Sequence, residues 1–142
     1  MRRVIFLSLI IAMIIVSCTQ EKKLPIEGAW KLVYGQRQSI EGTFPAQVMG
    51  SDIKIWSKDY FASVGQLKVD TIIYDAYVGG KYSLEGGRFT EEILYHAMKS
   101  SVGTKARLLL EIRNDTLIQR WPVDESWKLQ EKYNTEKYIR LE

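Results

Sequence analysis

Gly80-Lys81-Tyr82-Ser83-Leu84-Glu85-Gly86-Gly87-Arg88-Phe89 is the stretch that decides the fold. Tyr82 and Leu84 alternate with Lys81, Ser83 and Glu85, the period of two that sends successive side chains to opposite faces of a strand. Gly86-Gly87 then supplies two residues that accept positive φ, which makes a tight hairpin turn. A hairpin needs a second arm, and the residues from Phe89 onward must provide it. Thr90-Glu91-Glu92 followed by Ile93-Leu94-Tyr95-His96-Ala97-Met98 also fits a capped helix start with Gly103 as its stop. The glycine pair favours the strand, with Phe89, Ile93, Tyr95 and Ala97 on its inward face.

The same pattern extends in both directions. Trp30, Leu32 and Tyr34 alternate with Lys31 and Val33 between Gly28 and Gly35, Ile53 and Ile55 flank Lys54, and Tyr60 to Val64 reads as a third run. Leu108, Leu110 and Ile112 form a strand, Asn114-Asp115 turns the chain, and Leu117, Gln119 and Trp121 return. Glu136 to Leu141 closes the series, while Asp124 to Lys132 fits a short helix because Asp124 and Glu125 suit a first helical turn. Short strands at regular spacing predict an all-β fold, an antiparallel up-and-down barrel of about eight strands.

The chain begins with a different chemistry. Arg2 and Arg3 precede an apolar run from Val4 to Ile15, broken only by Ser8, and then Ile15-Val16-Ser17-Cys18. A positive start, a short apolar stretch and small residues before a cut site describe a signal peptide over residues 1–17. At ~1.5 Å per residue in a helix, that run falls short of a ~30 Å hydrocarbon core. Residues 18–26, polar and carrying Pro25, read as a tether, and 27–142 as the barrel domain. Cleavage takes away two arginines and no acid, so the formal net charge falls from +3 to +1. That balance leaves no electrostatic footprint for nucleic acid.

Ile15-Val16-Ser17-Cys18 resembles a bacterial lipobox, in which the cysteine is lipidated and becomes the first mature residue. The resemblance implies attachment to a membrane of the cell envelope through lipid on Cys18. Thr19, rather than Asp, implies the outer membrane by resemblance to enterobacterial lipoproteins. Gly28-Ala29-Trp30 resembles the Gly-x-Trp signature of lipocalins and the wider calycin group, and Gly80-Lys81-Tyr82 and Asn114-Asp115-Thr116-Leu117 follow in the order seen in small bacterial lipocalin-like lipoproteins. That likeness implies that Trp30 closes one end of the barrel with Arg140 lying across its indole. A Thr-Asp-Tyr, the second lipocalin signature, is lacking.

Catalytic chemistry finds little footing. His96 is the only histidine and Cys18 the only cysteine, so no multi-histidine metal site is available and no disulfide can form. There is no Gly-x-Ser-x-Gly elbow and no glycine-rich phosphate cradle. Asp70, Asp75 and Glu85 lack metal-ligand spacing, and Glu91 and Glu92 point to opposite faces when extended. The expectation is a non-enzymatic protein without metal or cofactor. Aromatic residues crowd the central half of the chain, and Trp56, Tyr60, Tyr82, Phe89 and Tyr95 are the candidates to line a ligand pocket. Tyr60 and Phe61 are adjacent, so only one of them can face inward. The same aromatics would equally fill a small barrel. Two readings follow: a membrane-tethered barrel that binds a small apolar or amphipathic molecule, or a solid barrel whose surface and long 36–51 connection contact an envelope protein.

Overall fold

The computed structural model describes residues 25–36, 49–69 and 71–141. The leader 1–17, Cys18, the tether as far as residue 24, the connection 37–48 and Asp70 lie outside the described residues. The Gly86-Gly87 turn joins two strands, β5 (Ile72–Glu85) and β6 (Arg88–His96), and Gly86 takes φ +58°. Upstream lie β1 (Gly28–Gln36), the two-residue β2 (Met49–Gly50), β3 (Ile53–Trp56) and β4 (Tyr60–Val69). Downstream lie β7 (Lys105–Arg113), β8 (Thr116–Val123) and β9 (Leu129–Arg140). The turn between β7 and β8 uses Asn114 at φ 54°, a conformation that asparagine tolerates better than most residues.

Every pairing is antiparallel. β1 pairs with β3, β3 with β4, β4 with β5, and each later strand with its successor; β9 returns to β1. Eight strands therefore close an up-and-down barrel, with β2 attached to β4. Closure gives each of the eight barrel strands a neighbour on both sides.

Inward positions alternate along each strand. Trp30, Leu32, Trp56, Phe61, Phe89, Leu108, Leu110, Leu117 and Tyr138 are buried and form one cluster. Trp56 meets Phe89 and Tyr138 edge-on at centroid distances of 6.3 and 6.4 Å, and Phe61 meets Phe89 in the same way. Aromatic pairs favour this geometry because the positive ring edge meets the negative ring face.

Residues 90–98 belong largely to the strand β6. The helix expected over Asp124–Lys132 is absent. The Asp124 carboxylate instead accepts hydrogen bonds from the backbone N–H groups of Ser126 (2.8 Å) and Lys128 (2.9 Å), and β9 begins at Leu129. An aspartate that satisfies nearby N–H groups in this way supports a turn as well as a helix start. Trp127, at φ 64°, lies against the guanidinium groups of Arg88 and Arg107, each 5.8 Å from its ring.

Candidate functional site

The closed end of the barrel is built around Trp30. Its indole N–H donates to the Ile26 carbonyl at 2.7 Å, and the Arg140 guanidinium carbon lies 4.3 Å from its ring centroid. Arg140 also donates to the carbonyls of Glu27 (2.8 Å) and Pro25 (2.5 Å), which pins the incoming chain across the barrel base. Gly28 explains itself here. Its φ is +123°, and a Cβ at that position would stand 2.8 Å from Arg140 Nη1. The glycine, tryptophan and arginine are thus one packed unit. Beside it a cleft of about 550 Å³, open to solvent, is lined by Ile26, Glu27, Lys58, Asp59, Tyr82 and Arg140 among others.

Above this apolar floor, the interior carries charge. Lys54 Nζ, only 3 % exposed as a residue, lies 2.7 Å from Glu91 Oε1 and donates to Gln119 Oε1 at 2.9 Å. Gln119 Nε2 donates to Glu136 Oε2 at 3.3 Å, and Tyr138 OH donates to the same oxygen at 2.5 Å. Glu91, Gln119 and Glu136 are all buried. The ammonium also faces the rings of Trp56, Phe61 and Phe89 at 5.0, 5.2 and 5.7 Å. Four strands, β3, β6, β8 and β9, thus each send a polar group into one layer across the barrel. Burying a charge without a partner is costly, and here ammonium and carboxylate satisfy each other. Burial, reinforced by the Glu136 charge, holds the Tyr138 hydroxyl well above the ordinary tyrosine range. The Trp56 indole N–H in this layer has no hydrogen-bond partner among the described residues.

The five aromatic residues expected to line a pocket do not stay together. Trp56 and Phe89 are buried in the core, and Tyr82 packs on Phe89 at 5.2 Å while donating its hydroxyl to the Ser57 carbonyl at 2.6 Å. Burial, then the charges of Glu27 and Asp59, raise the Tyr82 hydroxyl above its ordinary value. Tyr60 stands outside, because its neighbour Phe61 takes the inward position. Tyr95 is 70 % exposed and also faces out, against the expectation for its strand. A register shift explains this: Gly79 pairs with Tyr95 and Gly80 with Ile93, so Leu94 is an extra residue that reverses the phase. Gly80 permits the bulge, since a Cβ there would lie 1.9 Å from the Glu92 carbonyl oxygen.

The charged layer itself escaped the sequence reading. One signal was present: Glu91 stands between Phe89 and Ile93, and Gln119 between Leu117 and Trp121, each in the apolar phase of its strand. Glu91 and Glu92 do point to opposite faces, the first buried and the second exposed. Among the described residues no cluster of His, Cys, Asp and Glu is arranged to hold a metal ion. His96 Nδ1 accepts from the Met98 N–H at 2.8 Å at the end of β6, away from the layer.

Comparison with models of known protein families gives no match. Comparison with curated proteins gives none either.

Proposed function

We propose that the protein is a lipid-anchored component of a bacterial cell envelope, similar to the small lipocalin-like lipoproteins, whose barrel binds a small amphipathic molecule. The lipobox residues Ile15 to Cys18 support the anchor, and Thr19 after the cysteine supports the outer membrane as its site; the eight-stranded barrel with Trp30 and Arg140 at its base supports the lipocalin-like reading. One observation carries the choice of ligand: the layer of Lys54, Glu91, Gln119 and Glu136 stands inside the barrel, above a lower half filled by Trp56, Phe61, Phe89, Leu110 and Leu117. Access from the Trp30 end is blocked by Ile26 and Arg140, so a guest comes from the opposite mouth. Small residues flank the layer on that route. Ser63 pairs with Lys54, Ala106 with Glu91, and Ala76 follows one inward step beyond Ser63. A polar head resting on the layer, with a short apolar body above it, fits these side chains better than a long acyl chain does. Lys54 and Glu91 neutralise one another, and Glu136 is held by Gln119 and Tyr138 instead of flanking an open cleft, so no catalytic role is assigned to them.

A solid barrel that acts through its outer surface is the second reading, favoured by the exposed apolar wall described below. Purified full-length protein separates the two. Its intact mass should show a diacylglyceryl group on Cys18 at the mature N-terminus. Solvent extraction followed by mass spectrometry should release one small amphiphile, lost in the folded Lys54→Met/Glu91→Gln double variant. Extracts holding only bulk phospholipid would leave the solid barrel.

A further inference from the structure

The barrel's outside is as uneven as its inside. Two cross-strand rows, centred on β3 and β4, are almost entirely apolar. The first runs from Leu141, whose N–H bonds to the Ala29 carbonyl, through Ala29, Ile55, Ala62 and Gly79 to Tyr95. The second runs through Ile139, Lys31, Ile53, Val64 and Tyr77. Ile55 is 47 % exposed, Val64 52 % and Tyr77 50 %, so these side chains face solvent. Polar pairs bound the wall on both sides. Tyr60, Lys81 and Glu92 form the row toward the closed end, and Gln66 hydrogen-bonded to Asp75 forms the row beyond Val64 and Tyr77. A contiguous apolar area with a polar rim marks an interaction surface.

The opposite wall is different. Its outward residues on β7 and β8 include Arg107, Glu111, Arg113 and Arg120, with Glu111 ion-paired to both Arg113 and Arg120. A barrel that spans a membrane needs an apolar band around its whole circumference. A one-sided band suits a barrel that lies on a membrane.

We propose that this wall rests on the bilayer that holds the lipid anchor, an inference that depends on the acylation of Cys18 proposed above. Chain length is the first argument for that occupant. Cys18 and Pro25 are seven residues apart, a reach of at most ~25 Å. The Pro25 carbonyl is fixed by Arg140, and Ala29, four residues on, already lies in the first apolar row. The tether therefore delivers the bilayer beside this wall at high effective concentration, where a weak contact suffices. Side-chain chemistry is the second argument. Tyr60, Tyr77 and Tyr95 combine an apolar ring with a hydroxyl, the pattern enriched at headgroup level. Lys31 is the only charge in the two rows, and its sign suits an anionic leaflet.

Acylation of Cys18 leaves the chain without a free thiol, so Ala62→Cys beside Ile55 and, on the opposite wall, Arg113→Cys each provide one labelling site. Both full-length proteins, carrying the fluorophore NBD, are placed by their own anchor in vesicles of phosphatidylethanolamine and phosphatidylglycerol containing a nitroxide-labelled lipid. Quenching should be several-fold stronger at residue 62 than at 113, and Ile55→Glu with Val64→Glu should abolish the difference while the anchor holds. Equal or reversed quenching in protein whose mass shows the acyl group refutes the wall contact alone. An unmodified Cys18 in that mass spectrum refutes the anchor, and this proposal with it. Sedimentation as a dimer that the two glutamates dissolve would assign the wall to a second copy and overturn the bilayer as its occupant.

Discussion

Removing the ammonium from the barrel's interior should be among the most damaging single changes. Lys54→Met keeps the length and apolar stem of the side chain and deletes its charge. At 2.7 Å, the attraction between Lys54 and Glu91 is ~6 kcal/mol for an effective dielectric constant of ~20. Much of that offsets the cost of taking both ions out of water, so the intact pair contributes little net stability. The loss is asymmetric, however. Without Lys54, Glu91 is left as a buried carboxylate with no counter-charge, and breaking such a pair costs ~3–5 kcal/mol. The Gln119 carbonyl loses its donor in the same step, a loss of ~1–3 kcal/mol that overlaps with the first. Against a typical total of ~5–15 kcal/mol, the variant is close to unfolding. Adding Glu91→Gln should restore most of the loss, because the new amide is neutral and can donate to Gln119. Urea unfolding of the chain from Thr19, followed by tryptophan fluorescence, gives both numbers from the midpoint at constant m-value. A Lys54→Met cost below ~1 kcal/mol, or double-variant losses that simply add, would refute the account of Lys54 and Glu91 as a mutually neutralised buried pair.

Three other outcomes follow from named contacts. Trp30→Ala should cost ~3–5 kcal/mol as the loss of a large buried aromatic. Arg140→Ala should cost less, and the double variant less than the sum, since the guanidinium covers the indole; additivity in the unfolding midpoints would mean the contact carries no energy. Tyr138 is held protonated in the folded state well above the ordinary tyrosine range, so the unfolded chain loses that proton first. Stability from this group is complete below about pH 10 and falls as pH rises further, and Tyr138→Phe should flatten that part of the profile.

What was legible in the chain follows the reach of each interaction. Gly86-Gly87 and Asn114-Asp115 are local signals, and both turns stand where they were read. The barrel of about eight antiparallel strands followed from their spacing. The Asp124 segment misled because an aspartate that caps a helix also closes a turn, and a distant contact, Trp127 against Arg88 and Arg107, accompanies the turn. Tyr95 misled because its phase depends on a bulge opposite Gly80, which only the pairing of β5 with β6 reveals. Cys18 and the 37–48 connection lie outside the described residues.

The inward lysine and the outward apolar wall have a single origin in the phase of β3. Slipping this strand by one residue would place Ile53 and Ile55 inside and Lys54 outside, the arrangement that hydrophobicity alone favours. The observed phase puts Asp52, Lys54 and Trp56 inside instead. Trp56 gives the physical reason: buried, it packs edge-on against Phe89 and Tyr138, an area and geometry that two isoleucines at other heights would not replace. Lys54 then has to be neutralised where it lands by Glu91 and hydrogen-bonded by Gln119, both from strands distant in sequence. Ile53 and Ile55 are left to face out, next to Val64 and Ala62 of β4. Such exposure invites aggregation unless something covers it. On the lipid-anchored reading proposed above that cover is within reach of a short tether, and the phase of β3 that makes the interior polar would then also fit the exterior to a lipid surface.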